Sequence, residues 1–343
     1  MNYCKPLVCI CIPNYNNEKT IAETLDSILN QTYKNIVIKI FDNASTDGSL
    51  MILKDYEKKY ANIKVFQGEK NIVAEANFTR CIENLEGEYG AIYHSDDLYL
   101  PNMVEEQVNF LEKNIDCSAV AVHAYTIDEN SKQTDFRYIP HEYLLHPYNI
   151  IGNQLELFQS ILKYSNYITC PSVMGRTEIY KQKVKFWNGD IFKTSADLDV
   201  WLRFAKFGKF GLISTPLMQY RVSTSSYSYK DMRTRTAENN MFLVLDYYLK
   251  NYNKDNLLDT RDINRYSFLL FKDNVNRTIN EVINGIKGDL KLDVFNKNIL
   301  SIALESKSNC SIYLVGIIFK VISNFHLPKT LRKKIFELRF GKH

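Results

Sequence analysis

The stretch "LVCICIP" at residues 7–13 runs almost directly into "NNEKTIAETLDSILNQ" at 16–31. The first is an unbroken apolar run of strand length, of the kind buried on both faces. The second sets Ile21, Leu25, Ile28 and Leu29 on one helical face. Together they read as a strand followed by a helix. The same alternation returns in "NIVIKIF" (35–41) before "TDGSLMILKDYEKKY" (46–60), in "IKVFQ" (63–67) before "AEANFTRCIENLE" (74–86), and in "YGAIYH" (89–94) before a helix that Pro101 is expected to open. Four such units in about 110 residues predict an α/β fold, a doubly wound, mostly parallel sheet flanked by helices.

Sheets of this kind bind ligands at the carboxyl ends of their strands, near the switch in strand order. The chemically unusual residues fall there. Pro13, Asn14, Tyr15 and Asn16 follow the first strand, Asp42 and Asn43 the second, and Asp96 with Asp97 the fourth, in "AIYHSDDLYLP" (91–101). Two adjacent carboxylates repel unless solvent or a cation relieves them. Hard cations such as Mg²⁺ or Mn²⁺ take oxygen ligands and suit the pair. The plainer alternative is that one of the two caps the next helix. At the second strand end, Asp42 can accept the imide N–H of a uracil or thymine ring while Tyr15 offers a stacking face. Ser45 and Asp47 read as turn and cap chemistry.

After residue 115 the rhythm loosens. "CSAVAVHAYTID" (117–128) reads as a strand and "DFRYIPHEYLLHPYN" (135–149) as an aromatic, proline-punctuated loop. "SADLDVWLRFAKFG" (195–208) is an amphipathic helix, with Val200, Trp201, Phe204 and Phe207 expected inward and Gly208 as its stop. "QYRVSTSSYSYKD" (219–231) looks like a mobile polar loop, and the pattern from 233 onward is helical.

A 343-residue chain with a net charge of +4 has room for a second lobe but too little charge to point to nucleic acid as a partner. Seven cysteines with no C-x-x-C pair predict a reducing compartment and no structural zinc. The six-residue apolar run before Pro13 is shorter than a signal-peptide core, and no stretch approaches the roughly 20 apolar residues of a spanning helix, so a cytoplasmic location is expected. The end of the chain differs. "IYLVGIIFKVISNF" (312–325) has Lys320 as its only charge, and the following residues carry Lys329, Arg332, Lys333, Lys334, Arg339 and Lys342 against Glu337. Residues 312–343 therefore suit either peripheral contact with an anionic membrane or a basic-faced helix packed on the protein.

Three separated blocks, "CICIPNYNNEKTIAETLDSILNQTYKNIVIKIFDNASTDGS" (9–49), "GEYGAIYHSDDLYLP" (87–101) and "SADLDVWLRFAKFG", resemble in order and spacing the inverting family 2 glycosyltransferases of the GT-A fold. The resemblance covers roughly residues 5–225. It implies a nucleotide-sugar donor, a saccharide acceptor that a membrane location would allow to be lipid-linked, and Mn²⁺ or Mg²⁺ as cofactor. By position, Asp42 then contacts the nucleobase beside Pro13 and Tyr15, and His94, Ser95, Asp96 and Asp97 form the metal motif. Asp97 is the direct ligand, and Asp96 lies nearer the ribose or the metal shell. Asp197 is the catalytic base, and Arg221 clamps the diphosphate from its loop.

Two departures stand out: Ala196 where members often have glutamate, and Asn43 where many carry a second acid. The first leaves Asp199 as a competing base, although two residues along a helix it points elsewhere. Residues 1–115 would form the nucleotide-sugar half, 116–232 the acceptor half and 233–343 a helical region. The absence of a Q-x-x-R-W motif implies addition of one sugar. UDP is the leading donor nucleotide, with dTDP beside it because both bases offer Asp42 the same imide edge. A nucleotidyltransferase would carry a glycine-rich loop where "PNYNN" stands, and the remaining alternative is a non-catalytic binding or scaffold protein of the same fold.

Overall fold

The computed structural model describes residues 5–223, 227–286, 292–325 and 327–340. The chain forms two compact units, Met1–Val222 and Ser223–His343.

The first unit is built on one ten-stranded sheet. Its strands are β1 (Val8–Asn14), β2 (Ile36–Asp42), β3 (Ile63–Gln67), β4 (Tyr89–Ile92), β5 (Leu98–Tyr99), β6 (Cys117–Ile127), β7 (Gln133–Phe136), β8 (Tyr148–Gly152), β9 (Met174–Arg176) and β10 (Lys209–Arg221). Setting aside one-turn helices, it carries α1 (Ile21–Leu29), α2 (Ser49–Lys59), α3 (Ala74–Glu83), α4 (Met103–Lys113), α5 (Gln154–Tyr164) and α6 (Ala196–Ala205). The strand order is β3-β2-β1-β4-β9-β6-β10-β5, with β7 on β6 and β8 on β10.

The repeated strand-then-helix units account for β3-β2-β1-β4, which is parallel throughout. Beyond β4 the sheet turns mixed: β9 runs antiparallel to both β4 and β6, and β10 is parallel to β6. The expected halves at 1–115 and 116–232 thus contribute strands to one sheet. The order reverses between β1 and β4, where the carboxyl ends of both strands open a crevice. The buried strand residues Ile10, Ile12, Ile38 and Ile40 pack with Ile21, Leu25 and Ile28 of α1, as the apolar run and the helical stripe require.

Two local expectations are corrected. Pro101 does not open a helix directly after β4, because Leu98–Tyr99 first adds a short strand against Met218 and Gln219 of β10, and α4 begins at Met103. Phe207 lies past the end of α6 and is exposed, whereas Val200, Trp201 and Phe204 are buried as predicted. Gly175 of β9 explains how closely α6 sits. A Cβ there would lie 2.6 Å from the Phe204 ring, so only glycine lets that ring seat on the sheet.

The second unit is helical: α7 (Tyr227–Thr234), α8 (Met241–Lys254), α9 (Thr260–Asn284), α10 (Lys297–Ala303), α11 (Lys307–Ile322) and α12 (Lys329–Phe340). Phe268, Phe271, Val275 and Ile279 of α9 form its core with Leu292, Val294, Ile299 and Ile302. No helix among the described residues is long and apolar enough to cross a membrane.

Candidate active site

The turn between β4 and β5 carries His94, Ser95, Asp96 and Asp97, and neighbouring elements fix it from both sides. From the α1 side, Asn17 donates its amide to Ser95 Oγ at 2.7 Å, Thr20 Oγ1 bonds the Ser95 carbonyl, and Thr24 Oγ1 bonds the buried Asp97 carbonyl at 2.8 Å. From the β10 side, the Arg221 backbone N–H donates to Asp97 Oδ1 at 2.7 Å and Arg221 Nε to the Asp96 carbonyl at 2.7 Å. Asp97 is thereby 1 % exposed, yet its Oδ2 has no hydrogen-bond partner. His94 Nε2 is likewise buried and unpartnered. Burying a carboxylate oxygen with nothing to bond is costly, and a ligand at that oxygen removes the cost.

The electrostatics point the same way. Burial, with Asp96 beside it, raises the Asp97 carboxyl well above its ordinary range. Burial lowers the His94 imidazole, which favours the neutral ring that binds metals. One ligand atom from each of His94, Asp96 and Asp97 lies within 4.8 Å of the others. Two carboxylates and an imidazole are a donor set that fits a divalent cation, and the nitrogen tilts it toward Mn²⁺ over Mg²⁺.

Beside this turn lies a cleft lined by Pro13, Tyr15, Asn43, Phe78, His94 and Asp96. Tyr15 is 41 % exposed and free to stack. Asp42 does not reach the cleft. It is fully buried, and its carboxylate accepts from Asn14 Nδ2, Ser45 Oγ and the Ser45 N–H at 2.9, 2.6 and 3.1 Å. Asp42, expected to contact the nucleobase, here joins the β1 and β2 ends through both of its oxygens, and its neighbour Asn43 lines the cleft. The Asn43 amide braces the 71–72 segment through Asn71 Oδ1 and the Ile72 carbonyl and N–H.

Arg221 also departs from expectation. It ends β10, is 6 % exposed, and spends its guanidinium on the Asp96 and Asp128 carbonyls, Ser131 Oγ and Glu23 Oε2. In this arrangement the side chain braces the acidic turn. Of the expected mobile loop at 219–231, residues 219–221 end β10 and 227–231 lie in the helix Tyr227–Thr234, which corrects the expectation there, and residues 224–226 lie outside the described residues.

Asp197 sits in the first turn of α6, where Oδ1 bonds the Leu198 N–H at 2.8 Å. Burial raises its carboxyl to about 6. Asp199 is buried and ion-paired to Arg203 at 2.7 Å, so the two acids of this helix differ in their surroundings. Asp97 and Asp197 share two neighbours: Arg137 lowers the pKa of both, and both raise the Cys170 thiol. The turn and the helix thus face one region. Arg137 and Cys170 were not singled out from the sequence, because loop residues carry no periodicity that would reveal what they approach.

Residues 9–183, half of the chain, match the family model described as Glycosyl transferase family 2. The chain belongs to glycosyl transferase family 2. It is 30 % identical to an uncharacterized glycosyltransferase of Methanocaldococcus jannaschii over 72 % of this chain and 85 % of that protein. It is 27 % identical to TuaG of Bacillus subtilis, which bears the name of a teichuronic acid biosynthesis glycosyltransferase, over 65 % of this chain and 82 % of TuaG. Among solved structures, S. aureus TarS 1–349 in complex with UDP-GlcNAc superposes with a TM-score of 0.55 at 16 % identity, covering 98 % of this chain and 93 % of that one. This family 2 glycosyltransferase therefore has a GT-A-like α/β fold with a helical C-terminal region, and it is a transferase enzyme, which sets aside the scaffold reading.

Proposed function

We propose that this glycosyltransferase moves one sugar, with inversion, from a UDP-sugar to a saccharide acceptor, using Asp197 as general base and a divalent cation held by Asp97 with Asp96 and His94. The observation that carries the reading is the buried, unpartnered Asp97 Oδ2 beside His94 and Asp96. A cation bound there supplies positive charge against the departing diphosphate. Asp97 would hold it, and Arg221, by bonding Asp97 Oδ1, leaves Oδ2 as the oxygen open to it. Tyr15 stacks the base over the crevice beside Asn43 and Pro13. Asp197, ionised above about pH 6, takes the proton of the attacking hydroxyl. Attack from the side opposite the leaving group gives inversion.

The name of TuaG supports assembly of a surface polysaccharide as the setting. An exposed apolar stripe in the second unit, Leu314, Ile318, Val321 and Phe325, supports peripheral contact at the cytoplasmic face of a membrane, where a lipid-linked acceptor would be met. Of the stretch 312–343, residues 326 and 341–343 lie outside the described residues.

Calorimetric titration of UDP, dTDP and GDP with and without Mn²⁺ tests the reading on wild type and on Asp97→Ala. UDP binding that needs Mn²⁺ and collapses in the variant is expected. Folded wild type that binds none of the three overturns it. UDP-GlcNAc, the ligand of the TarS structure, is the first donor for a turnover assay.

A further inference from the structure

A cavity of ≈ 480 Å³ opens between the β7 hairpin and β10, lined by His123, Phe136, Arg137, Tyr138, Leu144 and Pro216 among others. Its size is that of a small-molecule site. Its polar groups are turned away from any ligand. The ring nitrogens of His123 face the Ser214 and Arg137 carbonyls at 3.2 and 2.7 Å, and Ser214 Oγ bonds the His146 carbonyl. A sugar ring placed here would bury hydroxyls without partners, whereas an apolar group would lose nothing.

Arg137 is the exception in this wall. Its guanidinium stands 5.0 Å over the Tyr220 ring, its Nε is buried without a hydrogen-bond partner, and among the described residues it forms no ion pair with a carboxylate. A partly buried cation with an unused N–H favours an anionic ligand. Arg137 stands over Tyr220, whose chain neighbour Arg221 holds Asp97 Oδ1, so a ligand held by Arg137 borders the acidic turn.

We propose that this cavity is an acceptor subsite, which takes an apolar segment of the acceptor and anchors an adjoining anionic group, such as a phosphate, on Arg137. The inference rests on the glycosyl-transfer reading and adds the chemical class of acceptor, an anionic amphiphile. Phe136, Tyr138 and Leu144, all half exposed, form the mouth through which the apolar segment enters.

The test titrates octyl phosphate, octyl glucoside and inorganic phosphate, each below any micelle-forming concentration, into wild type, Arg137→Gln and Leu144→Trp. Leu144 is 50 % exposed, so a tryptophan there fills the mouth without disturbing a core, and thermal melts check both variants. Saturable octyl phosphate binding is expected, at least about ten-fold tighter than that of either other probe and at least about ten-fold weaker in both variants. Equal binding of octyl glucoside and octyl phosphate, or octyl phosphate affinity unchanged in the variants, overturns the proposal. UDP titrations with Mn²⁺ on the same samples separate the two readings: Leu144→Trp is expected to bind UDP as wild type does, and wild type that binds octyl phosphate but no nucleotide would strike the donor site alone.

Discussion

The backbone N–H of Arg221 donates to Asp97 Oδ1 at 2.7 Å, across a sequence separation of 124 residues. One carboxylate oxygen of Asp97 is thereby held by β10, and the other, Oδ2, is buried without a hydrogen bond, 3.7 Å from His94 Nδ1. The arrangement divides the labour within a single side chain: one oxygen fixes orientation, and the other is presented to a ligand.

Replacing Arg221 by alanine keeps that backbone bond but removes guanidinium bonds to Asp96, Asp128, Ser131 and Glu23. The acidic turn should loosen. Mn²⁺ affinity in the UDP complex is expected to fall by about ten-fold, together with a loss of about 2–4 kcal/mol in stability, since several buried bonds to a charged group disappear at once. Mn²⁺ titration and denaturant unfolding read the two effects. A variant as stable as wild type but defective only in turnover would return Arg221 to the role of a diphosphate clamp.

Asp42→Asn offers a comparable separation. The carboxylate accepts from three donors, and an amide would set its own NH₂ group against one of them. A stability loss of about 1–3 kcal/mol is expected, because a buried donor is left facing a donor. Asn43→Ala, at the cleft, should instead weaken UDP binding with a smaller stability change. If Asp42→Asn melts like wild type and loses UDP affinity, the nucleobase contact belongs to Asp42 after all.

The difference between Asp42 and Asn43 shows where sequence reasoning stops. The strand-then-helix alternation located all three strand ends, and the sheet places them on one rim, because apolar runs and helical stripes record which faces are buried. Which of two neighbours at a strand end points into the cleft depends on the pleat. Asn14 stands directly opposite Asp42 in the β1–β2 register and bonds its carboxylate, and of the two neighbours Asp42 and Asn43 it is Asn43 that lines the cleft. Composition does not encode this. Arg137 was hidden for a related reason: its position follows from the pairing of β7 with β6, a contact between segments with little alternation of their own. The acid pair stood out because adjacent carboxylates at a strand end are costly unless solvent or a cation relieves them.

Asp197 links pH to both activity and stability. Its carboxyl is raised from 3.8 to about 6 by burial, so a base at this position would be ionised only above that value. The acid limb of the kcat/KM profile should rise with unit slope through about pH 6 and then level off. Asp197→Asn is expected to lower kcat by about a thousand-fold while leaving UDP affinity within about two-fold. The stability effect has the opposite sense. A group whose pKa is raised on folding stabilises the protein below its unfolded pKa, and that contribution is lost as pH rises through the folded value. The asparagine never ionises, so the variant should gain up to about 3 kcal/mol relative to wild type between pH 4 and pH 8. Denaturant unfolding at both pH values reads this, and an unchanged difference would show that Asp197 is not buried as a charge.

The second unit carries the last prediction. Helix α11 is apolar on two sides. Tyr313, Val315 and Phe319 pack on the α9 core, with Gly316 letting the Phe271 ring approach so closely that a Cβ would stand 2.4 Å from it. Leu314, Ile318 and Val321, spaced four and three residues apart, remain exposed on the other side. A helix already seated by one face gains nothing for folding from a second apolar stripe, whereas a membrane surface would bury it. The adjoining α12 presents Lys333 and Lys334, which suit an anionic surface. Flotation with vesicles containing phosphatidylglycerol is expected, with little binding to phosphatidylcholine alone. Lys333→Gln with Lys334→Gln should weaken it by about thirty-fold, at about 1 kcal/mol for each charge removed. Ile318→Asp should abolish it without lowering the melting temperature, because that side chain touches solvent. Flotation that survives Ile318→Asp would mean that the stripe serves some other surface.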